Sequence, residues 1–125
     1  MGTILIYEMK AEREQRISEL AEAIGHNVRK ISISMYEETL GHAADIHGFP
    51  SCAARTKKEP LGEEMLIFSG MDGNELDIFL ANLRENGLTV GLKAVLTPYN
   101  IRWTSRQLHD ELAKERANLQ KRKSD

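Results

Sequence analysis

The 125-residue chain fits a single domain that can bury a real core, and its 41% apolar and 29% charged content excludes wholesale disorder. A formal net charge of −2 supplies no basic field to gather nucleic acid or an anionic membrane, and no apolar run approaches the roughly 20 residues needed to cross a bilayer. Cys52 is the single cysteine and has no internal partner; with no leader-like segment, the chain reads as cytoplasmic and kept in a reducing compartment.

Thr3 to Tyr7 is almost wholly apolar, branched and aromatic, which predicts a strand covered on both faces. The period then changes. Ile17, Leu20, Ala21 and Ile24 recur at helical spacing among charged residues, and Gly25 ends that helix. A second strand is expected over Val28 to Ser34. Met35 to Ile46 reads as a short helix carrying Tyr36, Leu40 and Ala43, although Gly41 in its middle costs about 1 kcal/mol against alanine. Residues 47–62, with two prolines, two glycines and a basic pair, read as a loop.

The later half is patterned more strongly. Glu64 to Ser69 is a strand, Gly70-Met71 turns the chain, and Asp72 with Glu75 forms a capping box. Leu76, Phe79, Leu80 and Leu83 make the stripe of a helix that stops at Gly87. Val90 to Thr97 is the fourth strand. Thr104 with Gln107 repeats the capping box ahead of a helix carrying Leu108, Leu112 and Leu119, and the basic tail 121–125 is expected to fray.

Strand and helix thus alternate four times, and continuous apolar strands favour a parallel sheet flanked by helices. The expected fold is α/β: one domain over residues 1–120, with a small four-stranded, mainly parallel sheet in the order 2-1-3-4 and helices on both faces. The alternative is a ferredoxin-like α+β arrangement with the second and third strands antiparallel.

Open parallel sheets bind ligands beyond the carboxyl ends of their strands. Two such ends are legible, Ser69-Gly70-Met71 and Thr97-Pro98-Tyr99-Asn100. The candidate binding residues are therefore Ser69, Gly70, Thr97, Asn100, Trp103 and Thr104, whose polar groups beside one indole resemble a small-molecule pocket. A structural account fits them at least as well: Thr104 as a helix cap, Asn100 closing its own turn, and Trp103 as a hydrophobic staple.

No catalytic pair, metal set or cofactor motif emerges. His42, His47 and Cys52 match no standard zinc spacing, and surface imidazoles with a small thiol explain them better. Gly70-Met71-Asp72-Gly73 lacks both phosphate-loop signatures, and Asp72 would repel a phosphate. Glu12, Glu14, Glu19, Glu22, Glu111 and Glu115 lie among helical cations as solvated faces. The basic stretches at Arg55 to Lys58 and Lys121 to Lys123 lack interleaved aromatics, so nucleic acid is not an expected partner.

From about Glu64 to Arg116 the chain carries F-S-G-M-D-G-N-E-L-D-I-F-L-A-N-L-R-E-N-G, then L-K-A-V-L-T-P-Y-N-I-R-W-T and Q-L-H-D-E-L-A-K-E-R. This stretch resembles the bacterial family called domain of unknown function 3783, with Thr97, Asn100, Trp103 and Thr104 on its motif K-A-x-x-T-x-x-N-x-x-W-[ST]. Leu40 to Phe49 looks like a looser G-x-x-A-x-x-x-G-F region of relatives, to which the histidines do not belong. The resemblance implies a prokaryotic cytosolic protein with no assigned activity and no catalytic residue to carry over. The expected function is accordingly a non-catalytic ligand-binding or interaction module acting through the loops after the third and fourth strands. The partner would be a small molecule or a protein. The alternatives are a small transferase or hydrolase using those loops, or a structural homo-oligomer such as a homodimer through the last helix.

Overall fold

The computed structural model describes residues 2–52 and 59–123. Four strands, β1 (Thr3–Tyr7), β2 (Asn27–Lys30), β3 (Met65–Ser69) and β4 (Leu92–Val95), form one sheet in the order β2-β1-β3-β4. Four helices, α1 (Ala11–Ala23), α2 (Leu40–Ala43), α3 (Gly73–Glu85) and α4 (Ser105–Lys123), cover both faces. The expected strand order and the α/β class hold, and the two βαβ units are parallel as predicted.

The sheet is mainly parallel, as expected, with one antiparallel pairing: β1 and β3, with Thr3 opposite Ser69 and Tyr7 opposite Met65. The reason lies in the segment between β2 and β3. Where a helix over Met35 to Ile46 is expected, only a 3-10 turn at Ile33–Met35 and the single turn of α2 form. Among the described residues of that segment no helix is long enough to carry the chain back along the sheet, and β3 starts beside Tyr7, at the end where β2 finishes. The second strand is likewise shorter than expected, because the 3-10 turn takes Ile33 and Ser34.

The two βαβ halves are consequently related by an approximate two-fold axis perpendicular to the sheet, and α1 and α3 lie side by side on one face. Ile4, Ile6, Leu66 and Phe68 meet Ile17, Ala21, Phe79 and Leu83 there, all buried. The opposite pleat sends Leu5, Tyr7, Met65, Ile67 and Leu92 toward Tyr36, Leu40, Ala43 and Leu108 of the α2 region and α4. Both central strands are thus buried on both faces, which is why they read as continuous apolar runs.

The predicted termini are built as their residues dictate. Asp72 Oδ1 accepts from Glu75 N–H at 2.7 Å while Glu75 Oε1 accepts from Asp72 N–H at 3.1 Å, a complete capping box. Gly25 and Gly87 follow α1 and α3 with φ of +86° and +66°, in the left-handed region glycine adopts without strain. α4 extends through Lys123, and Ser124 and Asp125 of the expected tail lie outside the described residues.

α4 is tied down by Tyr7 Oη and Ser105 Oγ, 2.7 Å apart, and by a two-pronged pair in which Arg116 Nη2 donates to Glu63 Oε1 at 2.6 Å and Nη1 to Oε2. Burial pushes the Tyr7 phenol up from its ordinary pKa, keeping it a neutral donor or acceptor. The hydrogen bonds from Arg116 hold the Glu63 carboxyl below the usual carboxylate range. A depressed folded pKa means that this pair stabilises the fold above the unfolded carboxylate pKa and loses its effect as pH falls through that range toward the folded value. Glu63→Gln is therefore expected to lower the melting temperature modestly at neutral pH, with the difference from the parent vanishing in acid. A difference that persists at acid pH would show that the pair is not the source.

Candidate functional site

β3 and β4 are parallel neighbours with Phe68 opposite Val95, so the loops after them leave the sheet at the same end. Ser69 is buried there and Gly70 turns the chain with φ +72°. Six residues were candidates, and the structure divides them into three kinds of use.

Thr97 and Asn100 serve each other. Asn100 Oδ1 accepts from Thr97 N–H at 2.9 Å, Thr97 Oγ1 accepts from Asn100 N–H at 3.2 Å, and Asn100 Nδ2 donates to the Val95 carbonyl at 3.0 Å. Leu96 N–H donates to the Phe68 carbonyl, so even-numbered positions of β4 face β3 and the groups of Val95 and Thr97 point to the free edge. One residue of a parallel partner strand would donate to Val95 C=O and accept from Thr97 N–H. The Asn100 side-chain amide makes that same pair of bonds, closing the upper end of the edge.

Asn100→Asp keeps the acceptor but turns the donor into a carboxylate facing a carbonyl oxygen. The expected loss is about 1–2 kcal/mol by urea denaturation, larger than for Asn100→Ala, where water can reach Val95 C=O. Equal losses for the two variants would show that the amide donor is not what holds the loop.

Thr104 is a cap: its Oγ1 accepts from Gln107 N–H at 3.1 Å and Gln107 Oε1 accepts from Thr104 N–H at 2.8 Å. The backbone just before it caps a second helix. Leu40 N–H donates to the Trp103 carbonyl at 2.8 Å and Gly41 N–H to Ile101 C=O at 3.0 Å, which satisfies two donors that the short α2 cannot pair internally. Residues 97–104 therefore form a strap between the end of β4, α2 and α4.

Trp103 remains. Its ring is half-buried against the core face bearing α4, and Tyr99, 80% exposed, leans on it with ring centroids 5.5 Å apart. Trp103, Gln107, Asp110 and Glu111 line an open groove of about 370 Å³. Sequence reasoning found the tryptophan but assigned Glu111 to a solvated face. The spacing of 107, 110 and 111 at i, i+3 and i+4 is the signal that places them on one side of α4, and Trp103 joins them from just before its cap.

The opposite end of the sheet holds a crevice that the sequence did not suggest, because antiparallel β1 and β3 send the carboxyl ends of β1 and β2 there. Glu8, Glu14, Lys30, Ser32 and Tyr36 line about 220 Å³. Glu8 adopts φ +58°, uncommon for a residue with a side chain. Its carboxylate is committed to Tyr36 Oη at 2.7 Å and to the Leu61 and Gly62 N–H groups, pinning the β2–β3 connection. Burial, then the neighbouring Glu8 carboxylate, pushes the Tyr36 phenol above its ordinary pKa.

His42 faces the Phe49 carbonyl through Nδ1 at 3.1 Å and Glu38 through Nε2 at 3.5 Å, while Cys52 N–H donates to Glu38 at 3.0 Å. No group of three or more His, Cys, Asp or Glu side chains is placed to hold a metal among the described residues. The basic stretch Arg55 to Lys58 lies outside them. No described helix is long and apolar enough to cross a membrane.

No curated protein and no solved structure matches the chain. A family model does match, over residues 64–119, from just before β3 through most of α4, and so includes both capping boxes and the strap. That stretch of the chain belongs to the family described as domain of unknown function 3783, the one its Thr-x-x-Asn-x-x-Trp-Thr motif resembles.

Proposed function

We propose that this protein is a non-catalytic interaction module whose recognition surface is the aromatic and acidic groove beside the strap, taking a cationic side chain, arginine above all, from a partner in a reducing cytoplasm. The observation that carries this reading is Tyr99, 80% exposed against Trp103 beside two carboxylates. The face of an indole or phenol attracts guanidinium groups, by about 0.5–2 kcal/mol. Asp110 and Glu111 supply the charge that brings such a group in.

The hydrogen bonds within Thr97, Asn100 and Thr104 favour docking over small-molecule capture, since their polar atoms are already spent on the strap. Trp103 is the single tryptophan, so its fluorescence reports on the groove alone. Titration with an oligoarginine peptide at low salt is expected to change that emission saturably, with weaker binding at physiological salt and in an Asp110→Asn, Glu111→Gln variant. An unchanged emission, or an equal response to oligoglutamate, would overturn the proposal.

A further inference from the structure

The sheet has two edges, and the one at β4 is only partly closed. β4 sends Lys93 N–H, Lys93 C=O and Val95 N–H outward, and none of these groups has a hydrogen-bond partner among the described residues. Asn100 ends this open stretch by occupying Val95 C=O and Thr97 N–H. Unpaired edge groups of this kind are what an added strand binds, and natural edges are normally blunted against it.

A groove runs alongside. The pleat places Leu92, Ala94 and Leu96 on the α4 side, so Lys93 and Val95 emerge on the α3 side, where Val95 is 38% exposed. Leu80, Leu83, Thr89 and Val90 form the walls of a cleft of about 170 Å³ there, and Arg84 and Lys93 stand at its rim. Neither cation meets a carboxylate among the described residues: the Arg84 side chain makes no ion pair or hydrogen bond, and Lys93 Nζ donates only to the Val90 carbonyl. Arg13, Lys30, Arg106 and Arg116 each face a glutamate, whereas Arg16 and Arg29, like Lys93, donate to backbone carbonyls.

We propose that the free edge of β4 and the groove between it and α3 bind an extended segment of a partner protein, alternating apolar and acidic residues, as a fifth strand. Its main chain pairs with Lys93 and Val95. One apolar side chain fills the cleft between Leu80, Leu83 and Val90, and an acidic neighbour meets Arg84 and Lys93. A second copy of this chain fits less well, because pairing β4 with β4 would bring two Lys93 and two Arg84 side chains onto one seam. This surface lies on the α3 side of the sheet and calls for the opposite charge to the groove at Trp103, so the two readings stand or fall separately.

Fluorescein-labelled peptides test it by anisotropy. An alternating Glu/Val peptide is expected to bind, with a Lys/Val peptide and a proline-interrupted Glu/Val peptide much weaker. Val95→Pro removes an outward N–H without touching the ladder to β3, a place where a strand tolerates proline. It is expected to weaken binding about fivefold or more, the worth of one main-chain bond. The pair Arg84→Glu, Lys93→Glu is expected to reverse the preference toward the Lys/Val peptide, a gain that misfolding cannot produce, so this variant carries the test if Val95→Pro fails to fold. Absence of binding, indifference to peptide charge, or unchanged affinity in Val95→Pro would overturn the proposal. So would a peptide-free dimer that Val95→Pro converts to monomer, which would assign the edge to a second copy.

Discussion

Phe79→Ala is expected to cost about 3–5 kcal/mol, a large part of the roughly 5–15 kcal/mol by which a domain of this size is stable. The ring is completely buried and meets Phe68 edge-on, with centroids 5.9 Å apart and planes at 70°. It is the contact through which α3 reaches the centre of the sheet, among Ile4, Leu66 and Leu83. Truncation leaves a cavity between two aligned strands and a helix, and none of these can close it without shifting register. Ile78, one residue earlier and 46% exposed, supplies the control: its change to alanine should stay within about 0.5 kcal/mol. Urea midpoints for the two variants measure the contrast. A loss below about 1 kcal/mol for Phe79→Ala would mean that α3 is not docked as described.

Gly41→Ala is expected to destabilise by about 1–3 kcal/mol although alanine is the better helix former. A Cβ at Gly41 would sit 2.4 Å from Phe49 Cγ and under 3 Å from both Cδ atoms, at the rigid base of the ring. The backbone cannot move aside, because Gly41 N–H donates to Ile101 C=O and Gly41 C=O accepts from Ile46 N–H. The ring is itself held, with the Arg102 guanidinium 5.5 Å from its centroid. In a Phe49→Ala background the clash is gone and only the propensity gain of about 1 kcal/mol remains, so the same substitution should become stabilising. Equal effects of Gly41→Ala in the two backgrounds would show that Phe49 is not the obstacle.

Gly41 also shows how sequence and structure divide the work. From the sequence it is a weak point in a helix expected over Met35 to Ile46. In the structure that helix shrinks to Leu40–Ala43, and glycine is required because Phe49 folds back on it. A contact between residues eight apart, arranged by a loop, has no periodic signature. Asn100 is intermediate. That it would bond its own turn was legible, because asparagine commonly does so. That its amide would stand in for a strand depends on Val95 C=O pointing to an open edge, which follows from the β3–β4 register. Likewise Trp103 was conspicuous as the one indole, while Tyr99 and the two carboxylates joined it only when strap and helix were placed together.

The sequence by itself determined what local chemistry controls: four strands, the helices bearing apolar stripes, both capping boxes, and the glycine stops after α1 and α3. Local bonds and side-chain period decide these, and both are written within a few residues. The tertiary structure alone decided the direction of β3. Reversing a strand preserves its apolar pattern, and only the return path of residues 31–64 distinguishes the two arrangements. That choice sends the ends of β1 and β2 to the opposite side of the sheet from the ends of β3 and β4. The open edge of β4, stopped by Asn100 and flanked by Arg84 and Lys93, follows from the same long-range pairing, which no local pattern in the sequence encodes.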